Sequence, residues 1–125
     1  MKMIFPLYAV VLLAACATLP AEAASDGTTI ARFGQTVRVG GPRVTPLRLL
    51  SDSRCPMEAR CVWAGEVRIL ARIGTGRETA TRELTLGKSV AVADGQLELD
   101  SVMPPRSIQR QLRMRDYRFG FRFSG

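Results

Sequence analysis

From Tyr117 to Phe123 every second residue is aromatic: Tyr117, Phe119, Phe121 and Phe123 alternate with Arg118, Gly120 and Arg122. A β-strand turns successive side chains to opposite faces, so this spacing sets four rings on one face and two guanidinium groups on the other. Beyond the first 15 residues the only other aromatics are Phe33 and Trp63, so one strand face holds four of six rings. A small domain cannot leave that much apolar surface in water without aggregating, and the face is predicted to be core.

The same period recurs upstream. Ala31, Phe33, Val37 and Val39 alternate with polar residues and glycine over Ala31–Val39, and Gly40-Gly41-Pro42 ends the run. Leu47 and Leu49 are expected to face the core on the next strand. Val67, Ile69, Ala71 and Ile73 alternate with Glu66, Arg68, Leu70 and Arg72 before a Gly74-Thr75-Gly76 turn. Leu84 and Leu86 alternate with Glu83 and Thr85. Asp94-Gly95 reads as a two-residue hairpin turn between Val90–Ala93 and Gln96–Leu99. About seven short strands with Gly and Pro punctuation predict an all-β fold, a small antiparallel β-sandwich or barrel. No long helical pattern competes, and Ser107–Met114 has room for one short helical turn. A chain that is 46% hydrophobic with regular alternation is not disordered.

Before this domain, Lys2 precedes an apolar run from Ile4 to Ala15. Twelve residues are too few to span a bilayer as a helix, which takes roughly 20. A basic start, a short apolar stretch and small residues make a secretory signal. Its end, Leu13-Ala14-Ala15-Cys16, resembles the bacterial lipobox, which implies diacylation of Cys16 and cleavage before it. The second reading is cleavage after Ala21-Glu22-Ala23, with Pro20 breaking the signal helix, which would release a soluble protein. The expected organisation is a lipoprotein signal peptide at 1–15, a flexible tether at 16–28 rich in small and polar residues, and one β-domain at 29–125. The residue after Cys16 is Ala17, not Asp. By resemblance to enterobacterial lipoproteins this implies an outer-membrane anchor facing the periplasm; the alternative is a soluble periplasmic or secreted protein.

Three cysteines fit this compartment. Assigning Cys16 to lipid, or to the discarded signal, leaves Cys55 and Cys61, which an oxidising periplasm is expected to join. So short a closed loop stabilises by about 2 kcal/mol, and the bond mainly shapes the loop.

The pair lies in Ser51–Gly65, SDSRCPMEARCVWAG. Asp52-Ser53-Arg54-Cys55-Pro56 followed by Cys61-Val62-Trp63-Ala64-Gly65 resembles a motif in a family of small bacterial lipoproteins and secreted proteins with no assigned activity. The resemblance covers most of the mature chain in layout, though only these 15 residues are specific. It implies a fold and no mechanism. Physically, Asp52 and Ser53 can set a turn by bonding backbone amides. Pro56 pushes Cys55 to an extended conformation, and Gly65 permits a bulge or a close backbone approach. A lone Trp beside a disulfide is commonly packing, so the first expectation is a structural corner with Trp63 covering the core. The alternative is a rigid recognition loop with Arg54, Arg60 and Trp63 as contacts.

The sequence argues against catalysis. It contains no His, the commonest general base and metal ligand. The cysteine spacing matches neither a zinc finger nor a C-x-x-C redox pair, so no metal is expected. Asp52, Glu58, Glu66, Glu98, Asp100 and Asp116 make no catalytic pair in sequence, and no glycine-rich stretch has a phosphate-loop pattern. No cofactor is expected.

Charge is the remaining signal. Without Lys2 the chain has 17 basic and 11 acidic residues, a net charge of +6, and 16 of the 17 are Arg. Arg106, Arg110, Arg113, Arg115, Arg118 and Arg122 cluster against Asp116 alone. Such a cluster can bind phosphate or carboxylate groups, with an anionic envelope component or an acidic protein as partner; nucleic acid is disfavoured by compartment. Alternatively, Arg replaces Lys by composition bias and solubilises outer faces. Two function classes follow. One is a non-catalytic cell-envelope lipoprotein, structural or partner-binding, held to the membrane by its lipid. The other is a periplasmic inhibitor-like β-sandwich that blocks another protein such as a protease. An exposed apolar loop tip would favour the inhibitor and a buried Trp63 the structural module.

Overall fold

In a computed structural model, residues 27–125 are described. The lipidation expected at Cys16, the expected signal segment 1–15, the alternative cleavage site after Ala23 and the expected tether up to residue 26 fall outside the described residues. Eight strands follow: β1 (Thr29–Ala31), β2 (Val37–Arg38), β3 (Arg43–Asp52), β4 (Val67–Thr75), β5 (Glu78–Thr85), β6 (Ser89–Val92), β7 (Gly95–Met103) and β8 (Arg118–Ser124). They form two antiparallel four-stranded sheets, ordered β1-β8-β7-β6 and β2-β3-β4-β5. The sheets do not close on one another, so the fold is a small β-sandwich and not a barrel.

Period-two patterning puts one face of each sheet inside. Val67, Ile69, Ala71 and Ile73 of β4 are buried while Arg72 between them is exposed. Leu97, Leu99 and Val102 of β7 meet them from the other sheet. Phe119 and Phe121 of β8 are fully buried, with Phe123 half-buried at the core's edge. Tyr117, just before the strand, stacks on Phe119 at 5.7 Å, and Phe33 packs edge-on against Phe119 at 4.8 Å. Arg118 and Arg122 are exposed on the opposite face, as the alternation requires.

The structure differs from the sequence reading in local details. The run Ala31–Val39 is not one strand. A turn at Arg32–Gln35, closed by the Gln35 amide on the Arg32 carbonyl at 3.0 Å, divides it into β1 and β2. The halves join different sheets, yet Ala31 and Val39 enter the same core, so the alternation survives the break. In β3, register shifts after Pro46 and Leu49 change which residues face inward. Val44 is buried there, while Leu47 and Leu49 are only partly so. The Ser89–Met103 hairpin forms, but Val92 pairs with Gly95, so Ala93 and Asp94 make the turn, with Ala93 at φ 52°. The β4–β5 turn likewise falls at Gly76-Arg77, because Thr75 pairs with Glu78. The helical turn expected in Ser107–Met114 sits later, as one 3-10 turn at Met114–Asp116.

Pairing of Asp52 with Val67, Met103 with Arg118 and Ala31 with Phe119 brings three connections to one pole. These are the β3–β4 loop with the disulfide, the β7–β8 loop with most of the arginine cluster, and the turn after β1.

Candidate functional site

The β3–β4 loop is anchored through its first residues. Asp52 ends β3, and the Arg54 amide two residues on donates to Asp52 Oδ1 at 3.3 Å. Arg54 Nε and Nη2 donate to the two carboxylate oxygens of Asp52, both at 2.9 Å. The Tyr117 hydroxyl donates to Asp52 Oδ2 at 2.8 Å. Arg54 Nη1 reaches the Val102 carbonyl at 3.0 Å, and Arg106 Nη1 reaches the Arg54 carbonyl at 2.9 Å. The Asp52 and Arg54 side chains are only 6% and 15% exposed. This network ties the end of β3 to β7, β8 and the loop between them.

Its electrostatics follow from position. Burial opposes ionisation of Asp52, but the Arg54 and Tyr117 hydrogen bonds and the Arg54 charge together outweigh it and hold its pKa below 3.8. Burial, then the Asp52 hydrogen bond and charge, push the Tyr117 hydroxyl up to about 12.

Above this base the loop closes on itself. The Ser53 amide donates to the Glu66 carbonyl at 2.8 Å, and the Glu66 amide to Ser53 Oγ at 3.0 Å. Gly65 lies so close to the segment just after β3 that a Cβ there would overlap the Arg54 Cα and the Ser53 carbonyl oxygen, so no larger residue fits. Cys55 and Cys61 are joined in a disulfide with a Cα separation of 5.9 Å. The loop then docks on its neighbour. The Met57 amide donates to the Arg106 carbonyl at 2.9 Å, and Glu58 accepts from the Ser107 hydroxyl and, at 3.1 Å, from the Ile108 amide. These bonds, the Ser107 one first, lower the Glu58 pKa.

What this framework holds outward is apolar. Val62 is 99% exposed, Met57 66% and Trp63 60%. Trp63 Nε1 donates to the Ser53 carbonyl at 3.4 Å, which fixes the indole's polar edge and leaves much of its surface in solvent. The structural corner expected from sequence is therefore corrected: Trp63 does not cover the core. Of the three residues of the recognition-loop alternative, Arg54 lies in the anchor, while Arg60 and Trp63 are exposed at the tip. Ile108, 72% exposed on the neighbouring loop, adds apolar surface that sequence reasoning missed.

No family model, curated protein or solved structure matches the chain.

The arginine cluster separates into different jobs. Arg106 braces the disulfide loop. Arg122 faces Asp100 at 3.4 Å on the outer side of β8. Arg113 is exposed and contributes its backbone amide to Asp116 at 2.9 Å. Arg110, Arg115 and Arg118 gather at one cavity, joined by Arg32, which carried no signal in the sequence because about 80 residues separate it from the rest. Among the described residues there is no group of three or more His, Cys, Asp or Glu side chains arranged to hold a metal. No described helix is long and apolar enough to cross a membrane.

Proposed function

We propose that the chain is a non-catalytic cell-envelope lipoprotein, anchored through Cys16, whose domain binds a protein partner with the tip of the Ser53–Gly65 loop. One observation carries this reading: Val62, Trp63 and Met57 are held in solvent on a loop fixed at its base by Asp52, Arg54 and Tyr117 and across its middle by the disulfide. Exposing a Trp costs solvation, and a stiff loop that presents Trp, Met and Arg60 has the chemistry of an interface hot spot. Little conformational entropy remains to be lost on binding, because the loop is already ordered. Membership of the envelope family that Ser51–Gly65 resembles belongs to the same proposal.

The same tip supports an inhibitor reading. Only five residues lie between the bridged cysteines, a narrow rigid projection of the kind that enters a cleft on a protease.

The test is capture from envelope extract on the immobilised full chain, read by mass spectrometry beside Trp63→Ala and Val62→Ser. The proposal expects a protein held by the wild type and lost from both variants while their melting temperatures stay unchanged. Equal capture by all three would refute it. The inhibitor reading further expects the added chain to suppress the captured protein's hydrolytic activity.

A further inference from the structure

At the same pole, beside the β1-β8-β7-β6 sheet, a cavity of about 470 Å³ is lined by Arg32, Arg110, Arg115 and Arg118 with Met103, Pro104 and Asp116. Strand pairing builds it. Ala31 lies opposite Phe119, which brings Arg32 at the end of β1 near Arg118 at the start of β8. The 3-10 turn at Met114–Asp116 then delivers Arg115. Asp116 is already engaged: its Oδ1 faces Arg110 Nη2 at 3.4 Å and its Oδ2 accepts the Arg113 amide. Among the described residues, the guanidinium groups of Arg32, Arg115 and Arg118 meet no carboxylate within 4.0 Å and make no hydrogen bond to protein. Arg54 and Arg106, by contrast, are satisfied within the fold.

Four guanidinium groups and one carboxylate leave a net charge of +3 around one concavity. Convergent like charges repel, and a bound anion relieves that repulsion. A monocarboxylate brings one charge and fills one guanidinium fork. Three open forks suit a ligand with two or more charges and several oxygens, which is phosphate chemistry. The volume lies in the range of small-ligand sites, and Met103 and Pro104 offer an apolar wall for the remainder of the ligand.

We propose that this pocket binds a phosphate monoester or diphosphate group, with Arg32, Arg115 and Arg118 supplying the forks and Asp116 steadying Arg110. The site is independent of the loop tip and of whatever protein the tip engages.

The test is calorimetric titration of the full chain with pyrophosphate, and flotation with vesicles containing phosphatidic acid, at physiological salt. The proposal expects one-to-one pyrophosphate binding, weakened roughly ten-fold or more by Arg118→Ala and by Arg32→Gln. Arg77→Ala, at the opposite pole, should leave it unchanged. Binding to vesicles but not pyrophosphate, with the same pattern among variants, supports the site and makes a lipid headgroup its source. No binding to either probe, or equal loss in Arg77→Ala, overturns the proposal. Thermal melts verify that each variant is folded, and Arg32→Gln stands alone as the variant if Arg118→Ala is not.

Discussion

Arg54→Ala separates an anchoring arginine from a contact arginine. The substitution removes a two-pronged bond to Asp52, both contacts at 2.9 Å, and the bond to the Val102 carbonyl at 3.0 Å. It leaves a carboxylate that is 6% exposed with Tyr117 as its remaining side-chain partner. Removing one member of a buried pair costs about 3–5 kcal/mol, much of it the stranded charge. A domain of this size is stabilised by roughly 5–15 kcal/mol in total. At about 4–8 °C per kcal/mol, the melting temperature should fall by at least 12 °C. Arg60→Ala, at the exposed tip, should stay within about 0.5 kcal/mol. Urea denaturation at neutral pH measures both. Asp52→Asn should be less harmful beside Arg54→Ala than alone, because no charge is then stranded, so the double-mutant cycle should couple by about 1 kcal/mol or more. If Arg54→Ala and Arg60→Ala are equally mild and the cycle is additive, Arg54 anchors nothing and the loop base is held otherwise.

Phe121→Ala, at a fully buried ring, should cost about 3–5 kcal/mol in the same melts, whereas Arg118→Ala should cost under about 0.5 kcal/mol; a reversed order would mean that β8 faces the other way. Replacing Cys55 and Cys61 together by Ser should cost about 2 kcal/mol, and peptide mapping without reduction should recover the two linked in the wild type. The depressed Asp52 pKa contributes stability above pH 3.8 that is lost as pH falls further, and the raised Tyr117 pKa contributes stability below pH 10 that is lost as pH rises to about 12. Tyr117→Phe should abolish the alkaline loss and shrink the acid one in pH-dependent melts. Cys16→Ser should abolish fatty-acid labelling and release the protein from membranes; a soluble wild type beginning at Ala24 would contradict lipidation.

The β-sandwich was legible because period-two burial is a local pattern. The facing of β8 follows from seven consecutive residues, and the core face of β4 from a similar stretch. The division of Ala31–Val39 between two sheets was not legible, since both halves point into one core and alternate alike. The hairpin turn was misplaced by one residue for a tertiary reason. A Cβ on Gly95 would press on the Phe123 ring and the Ser124 carbonyl, so this glycine serves β7's approach to β8, and Ala93 takes the positive φ instead. At the site, Asp52 carried a usable signal, because an Asp side chain that bonds the amide two residues on is a local turn device. The third partner, Tyr117, lies 65 residues away and needed the fold. Arg32 was invisible for the same reason, and the exposure of Trp63 depends on where the Ser53 carbonyl captures its indole nitrogen.

The pairing of β1 with β8 dictates an order of events. Thr29 finds Phe121 across more than 90 residues of chain. As the chain emerges from its amino end, β2 to β5 can zip as a meander of neighbours, while β1 waits for a partner that is made seven strands later. Long-range closure of this kind is the slow step in β-rich folding. Until it happens, Thr29–Ala31 have no strand of the sheet to pair with, and Ala31 has no core to enter. A chain stopped short of Arg118 would keep the β2–β5 meander and the β6–β7 hairpin yet lose Phe119 and Phe121, the one described partner strand of β1 and one wall of the arginine cavity at once. Formation of β8 is thus registered almost a whole domain away in sequence, as the locking of β1.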